Sequence, residues 1–258
     1  MCYYNQCRVS RAAYIRLLAI EKEIKNFFLL RNVQSGFEYT NWPVLKPTNE
    51  GKDFELSDMH WEYIPSFIKN AEELKEARKM LTWLNAKGEN LFVNEKGRLS
   101  IYKEGATSGR CLVLSSGFYE WRHIPKMGKR GLPLKQTEKI PYFITLKTEP
   151  EYFFMAGVYR HWQNIDRQES ADTFAIVTTE ANSLMQQIHT TKKRMPVILP
   201  ESLAFEWMQN GLSKQRITEL ATYQYNSSEM IAWPAAKNFL TLEENASKEF
   251  NYEHLPPF

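Results

Sequence analysis

The chain has 258 residues, with 33 basic against 30 acidic side chains and a formal charge of +3. That near-balance excludes nucleic-acid binding through bulk electrostatics, so any such surface must be a local patch. A hydrophobic content of 43% and an aromatic content of 14% suffice for a substantial core, and no apolar run approaches the ~18 residues of a membrane span.

The elements are read in chain order. Ala13, Leu17, Leu18, Ile20 and Ile24 recur at mainly helical spacing and predict a helix over 10–25. Pro43 and Pro47 punctuate short extended pieces between Asn32 and Glu55. Ser66 is the expected cap of a helix running to about Leu84, with Ile68, Leu74, Ala77, Leu81 and Leu84 as its buried stripe. Strands are expected at 91–93, 99–102, 111–114, 118–122, 142–146, 153–159 and 174–178. A Lys/Gly/Pro-rich loop is expected over 124–139, and late helices at 181–188, 201–208 and 214–221. A strand-rich middle without strict strand–helix alternation predicts an α+β fold. The expected form is a single domain over 1–235, with a central mixed or antiparallel sheet or barrel-like core and flanking helices. Residues 236–258 are read as a polar, partly disordered tail.

The chemistry starts at the second residue. If Met1 is removed, Cys2 carries a free α-amine and a thiol on adjacent carbons. An α-amine titrates near about 8, roughly 2 units below lysine, so part of it is nucleophilic at neutral pH. Such a pair can add to one aldehyde and close a five-membered thiazolidine ring, or act as nucleophile and base in acyl transfer. The other cysteines, Cys7 and Cys111, make an odd total at irregular spacing with no zinc pattern. A reducing, cytoplasmic setting is therefore expected. In Gly117-Phe118-Tyr119-Glu120-Trp121, strand periodicity puts Phe118 and Glu120 on one face and Tyr119 and Trp121 on the other. A carboxylate on such a face is at a site or at an edge. His189 ends a helical stretch, and Lys192, Lys193 and Arg194 follow it as a basic cluster.

Four separated segments in order carry a more specific signal than any one of them: Cys2; Asn85-Ala86-Lys87-Gly88-Glu89; the Arg110–Trp121 hairpin; and Thr178–Asn182 leading to His189 and Arg194-Met195-Pro196. Together they resemble the SRAP family, the SOS response-associated peptidases or abasic-site processing proteins, from Cys2 to about Ala232. The resemblance implies capture of abasic sites in single-stranded DNA, with Cys2, Asn85, Glu120 and His189 as catalytic residues. It implies that Glu120 activates the Cys2 amine and that His189 opens the sugar ring, with lyase or self-processing peptidase activity as further possibilities. Lys87 stands where the family has an arginine and, with Lys192, Lys193 and Arg194, would contact phosphates. Trp61, in Trp61-Glu62-Tyr63-Ile64-Pro65, would stack on bases. Glu89 matches a family acid. No metal or organic cofactor is implied, and the expected form is a monomer whose partner is single-stranded DNA.

Two departures stand out. Tyr3 and Tyr4 replace the Gly-Arg that follows the family's cysteine, and the His-Asp-Arg-Met-Pro segment is expanded to His189–Pro196. Both affect DNA contacts rather than chemistry. The competing function is an N-terminal-nucleophile peptidase or amidohydrolase using the same Cys2.

Overall fold

The computed structural model describes residues 2–8, 30–48, 54–128, 130, 132–147, 152–256 and 258. The helix expected over 10–25 lies outside these residues. Five strands close on themselves: β3 (Asn41–Pro47), β4 (Phe54–Trp61), β6 (Arg110–Ser115), β9 (Phe153–Asn164) and β10 (Glu169–Glu180). The order is β10-β4-β3-β6-β9, and β9 returns to β10. The β4–β10 pair is parallel and the other four are antiparallel. The ring closes through short contacts, two residue pairs at β4–β10 and two at β3–β6, and β5 (Asn85–Lys87), β11 (Arg194–Pro196) and β12 (Ile198–Leu199) add on to it.

A second sheet has the order β13-β8-β7-β1-β2, from Met230–Pro234, Pro133–Leu146, Gly117–Met127, Tyr4–Arg8 and Leu30–Ser35. Flanking helices are α1 (Ala71–Arg78), α2 (Lys103–Ser108), α3 (Ser183–Ile188), α4 (Glu201–Met208) and α5 (Lys214–Ala221). The expected α+β barrel-like fold in one domain is the observed one.

The strand faces sort the core into two. Phe118 joins the main core with Trp42, Trp61, Phe174 and Trp207, whereas Tyr119 packs with Phe143 and Phe239 on the opposite side. The alternation read from Gly117–Trp121 is therefore present in space. Helices α4 and α5 have the boundaries that their sequence pattern predicts.

Elsewhere the reading is corrected. The helix expected from Ser66 to Leu84 spans only Ala71–Arg78, and its cap is Asn70, whose side chain accepts from the Glu73 amide at 2.9 Å. Leu81 is exposed, and Leu84 is buried beyond the helix, just before β5. The apolar positions that suggested one long stripe thus serve a short helix and a separate buried segment. Residues 91–93 and 99–102 are not strands; a single bridge, Val93 to Leu99, joins them. The loop expected over 124–139 is largely ladder, since Ile124 faces Glu138 and Met127 faces Pro133. Pro125, Lys126, Pro133 and Lys135 sit on an exposed hairpin whose backbone still pairs.

The segment after Asn238 is polar yet docked. Phe239 and Ala246 are buried, Trp233 Nε1 donates to the Ser247 carbonyl at 2.7 Å, and Tyr252 donates to the Ala235 carbonyl at 2.8 Å. Short apolar anchors in a polar stretch account for the difference from the expected disorder.

Gly88 brings the turn after β5 against the end of α5. A Cβ there would lie 1.8 Å from the Ala221 carbonyl oxygen, a backbone atom that cannot swing aside. Gly88→Ala is expected to cost about 1–3 kcal/mol and to lower Tm by about 2–4 °C per kcal/mol. Calorimetry would check this; an unchanged Tm would mean that α5 is not clamped to the turn.

Candidate active site

Cys2, Glu120 and His189 meet where the two sheets join. The chain passes from β6 into β7 at Ser115–Gly117, and β1 lies alongside, with Asn5 opposite Phe118 and Gln6 opposite Gly117. Ser115 Oγ donates to Asn5 Oδ1 and accepts from the Gly117 amide at 3.1 Å. The Ser116 amide donates to the Gln6 carbonyl at 2.6 Å, and the Gly36 amide donates to the Tyr3 carbonyl at 2.8 Å. These bonds fix the strand that leads back to Cys2, which is fully buried.

His189 is carried by α3. Asn182 caps that helix, accepting from the Met185 amide at 3.0 Å while its Nδ2 donates to the Tyr225 carbonyl at 2.7 Å. At the other end, His189 Nδ1 lies 2.8 Å from the Arg194 carbonyl oxygen. The Arg194 amide also approaches Nδ1, at 3.3 Å; the shorter contact is to the carbonyl, which only accepts, so the ring proton is assigned to Nδ1 and Nε2 faces Glu120. Nε2 lies 4.0 Å from Glu120 Oε2.

The electrostatics suit proton exchange. Burial pushes the Glu120 carboxyl up to about 7, and burial pushes the His189 imidazole down to about 4. Near neutral pH the site therefore holds a neutral imidazole beside a carboxyl close to half-protonation. Burial first, and then the Glu120 charge, raise the Cys2 thiol far above its ordinary range. It stays an SH group. Tyr3 borders the cluster; burial and then Glu120 push its phenol up to about 12. Its ring packs against exposed Phe37, with centroids 4.9 Å apart.

The remaining expected site residues divide. Asn85 is on strand β5, not at a helix end, with Ile176 of β10 as its partner. Both polar atoms of its amide are buried without a hydrogen-bond partner among the described residues. Such a group is costly unless something else satisfies it. Its carbonyl accepts from Tyr102 at 3.1 Å.

Lys87 is exposed and paired with Glu95. Lys192 and Lys193 are exposed as well, and Lys193 has a left-handed backbone (φ 49°) in the turn that follows His189. Arg194 differs from them. It is buried, with Nη2 donating to Glu89 Oε2 at 2.9 Å and to the Thr178 carbonyl at 2.7 Å. Its guanidinium is committed inside the protein, and its carbonyl orients His189, so the expected phosphate contact is corrected to a positioning role. Glu89 is the partner in that ion pair.

Trp61 is corrected too. It is fully buried between Trp42 and Phe174, and its Nε1 donates to the Leu84 carbonyl at 3.1 Å, so it offers no face to a base. Sequence reasoning missed Tyr3 and Phe37 as the accessible aromatics beside Cys2. The signal was the Tyr3-Tyr4 pair, read only as the loss of an arginine.

Fold and geometry define the class: an α+β barrel protein with a cysteine, a carboxylate and an imidazole gathered at the junction of its two sheets. The chain belongs to the SRAP family, since the family model described as SOS response associated peptidase matches residues 1–240. It is 29% identical over 212 residues, 82% of either chain, to the abasic site processing protein YoqW of Bacillus subtilis. It is 27% identical to YoaM of the same organism, covering 90% of this chain and 91% of that one. A crystal structure of a Bacteroides thetaiotaomicron protein superposes with a TM-score of 0.77 at 28% identity, covering 97% of this chain and 100% of that one.

The buried carboxyl carries a pH signature. Its folded pKa of about 7 exceeds the ordinary 4.5, so the folded state holds the proton more tightly. That stability is fully present below about pH 4.5 and lost as pH rises through about 7. Glu120→Gln is therefore expected to raise stability by up to about 3 kcal/mol at pH 8 and by little at pH 5. Thermal denaturation at both values checks this; an equal shift at both would place the cost of Glu120 outside its ionisation.

Proposed function

We propose that this chain captures abasic sites in single-stranded DNA covalently, through Cys2 after removal of Met1, in a DNA-damage response. The observation that carries the reading is the Cys2–Glu120–His189 cluster, in which a protonated thiol adjoins a carboxyl poised near neutrality. The names of the relatives, abasic site processing proteins, support the same reading. Asn85 would orient a sugar hydroxyl or the amine with its unsatisfied amide.

An abasic sugar is mostly a closed hemiacetal. Nε2 of His189 exchanges the proton that opens it to the aldehyde. The free amine of Cys2 loses a proton to Glu120 and attacks C1′; water leaves as Glu120 returns that proton, and an imine forms. The thiol then adds to the imine carbon, its proton passing to the imine nitrogen. The thiazolidine closes with net loss of one water and no change of oxidation state. Because burial keeps the thiol protonated, the amine attacks first and sulfur second. The same His189 could protonate a leaving oxygen, which would reverse the adduct or cleave the strand. Exposed Lys87, Lys192 and Lys193 supply the phosphate contacts.

The free amine is obligatory. A chain that retains Met1, or carries any residue ahead of Cys2, should give no denaturation-resistant adduct with an abasic oligonucleotide. The mature chain should start at Cys2 by intact mass. Cys2→Ser should give only an imine trapped by borohydride, while Cys7→Ser and Cys111→Ser should form the ring normally. Full-yield crosslinking by the Met1-retaining chain would overturn the mechanism.

The two proton carriers act on different atoms. Glu120→Gln should slow capture of every aldehyde-bearing oligonucleotide by about 10²–10⁴-fold. His189→Ala should be comparably slow on a natural abasic site but largely spared on a substrate whose aldehyde cannot cyclise. Single-turnover rates of both variants on both substrates decide this. Equal impairment of His189→Ala on the open aldehyde would remove ring opening from its role.

Neutralising Lys192 and Lys193 together should flatten the dependence of log K on log salt by roughly one unit per lost phosphate contact. Neutralising Lys126 and Lys135 on the exposed hairpin should change it less. Identical slopes for the Lys192/Lys193 variant and the native chain would exclude those lysines as phosphate contacts.

A further inference from the structure

The family match ends at residue 240; beyond it the chain first packs beside Tyr119 through Ala246, and residues from Tyr252 onward reach the side of β7 and β8 that bears Arg122 and Tyr142. Residues 118, 120 and 122 of β7 alternate onto one side, and the β8 partner of Glu120 is Tyr142. Arg122 thus stands two residues, about 7 Å, along the strand from Glu120, and its Nη1 donates to the Tyr142 hydroxyl at 3.2 Å. A cavity of about 370 Å³ lies there, lined by Arg122, Tyr142, Trp233, Phe250, Tyr252 and Phe258 among others.

The C-terminal segment occupies this place with two groups. Arg122 Nη1 donates to the Pro256 carbonyl at 2.7 Å. The Phe258 ring lies under the Arg122 guanidinium, 5.0 Å from its carbon, and 5.4 Å from the Tyr142 ring. One oxygen acceptor and one flat ring, both beside a cation and a phenol, reproduce what a nucleotide offers: a phosphate oxygen and a base.

The segment is firmly anchored as far as Tyr252, by the Phe250 amide on the Pro234 carbonyl at 2.8 Å and by the Tyr252 hydroxyl. Beyond Tyr252 the described contacts are few, and Phe258 is 51% exposed. An exposed cation–π contact and one hydrogen bond are each worth only about 1 kcal/mol, so a strand of DNA can displace them.

We propose that Arg122 and Tyr142 form a nucleotide subsite next to Glu120, taking the phosphate and base of a nucleotide flanking the lesion, and that residues 253–258 compete for it. The assignment of the lesion rests on the function proposed above; the subsite itself does not need it.

The test uses a fluorescent oligothymidylate without any abasic site, titrated against salt with the full chain, a chain ending at Tyr252, Phe258→Ala, and Arg122→Ala in the full-length and shortened chains. Shortening and Phe258→Ala should each tighten binding, by roughly three- to tenfold. Arg122→Ala should weaken binding and lower the salt slope by about one in the shortened chain, and do less in the full chain, where the cation is already occupied.

Unchanged or weaker binding by Phe258→Ala at native Tm would overturn the competition. An equal effect of Arg122→Ala in both backgrounds would overturn it as well, and no effect in either would overturn the subsite. Crosslinking of an abasic oligonucleotide by the same proteins separates the two readings. No adduct from the native chain, with the binding pattern intact, sinks the covalent reading and leaves the subsite standing. Normal crosslinking without the binding pattern sinks the subsite alone.

Discussion

The corner at Ser115–Gly117 is the constraint on which the site depends. There the chain leaves the closed barrel and enters the second sheet, and β1 is pinned to it by the Ser115–Asn5 bond and the Ser116 amide. Gly117 is required at this corner: a Cβ would lie 2.1 Å from the Phe143 ring. With the corner fixed, β7 carries Glu120 inward beside Phe118, and β1 carries Cys2 to the same place. Neither element could deliver its group alone, because Cys2 precedes the first strand and has no periodic structure of its own.

The histidine is positioned by a different device. A short helix capped by Asn182 ends at His189, and the chain then turns tightly into β11, so that Arg194 can hold the ring through its carbonyl. The Arg194 guanidinium in turn is tied to Glu89 and Thr178. The segment between His189 and Arg194 is thus held at its two ends and carries exposed lysines between them. A basic cluster in sequence becomes two things in space: an internal strut at Arg194 and a solvent-facing charge at Lys192 and Lys193.

Legibility in the sequence followed the strength of the local pattern. The apolar or alternating inner parts of the strands over Arg110–Glu180 were readable, whereas the polar outer half of the β7–β8 hairpin was not; α4 and α5, with amphipathic stripes of ordinary length, were readable too. Barrel closure was not, because the β9–β10 and β4–β10 pairings depend on contacts far apart in the chain. Glu120 and His189 were legible through the motifs around them. Trp61 and Arg194 were misread for a shared reason: a motif reports which residue is present, whereas burial decides whether its aromatic face or its charge is available. The expected helix was carried on to Leu84, just short of Asn85, because Leu81 and Leu84 extended an apolar stripe that the backbone does not follow.

Cys2, Cys7 and Cys111 are all buried and form no disulfide among the described residues, and at Cys2 the neighbouring carboxylate adds to the effect of burial in keeping sulfur protonated. A thiol held in this state reacts poorly with peroxides, alkylating agents and disulfides, all of which need the thiolate. The reagent is thus stored in an inert form. In the proposed reaction it would become reactive only when an electrophile has first been joined to the adjacent nitrogen, which would bring the imine carbon within bonding range of the sulfur. Chemical discrimination between a DNA aldehyde and the cell's general oxidants would then follow from the order of bond formation rather than from the shape of a pocket.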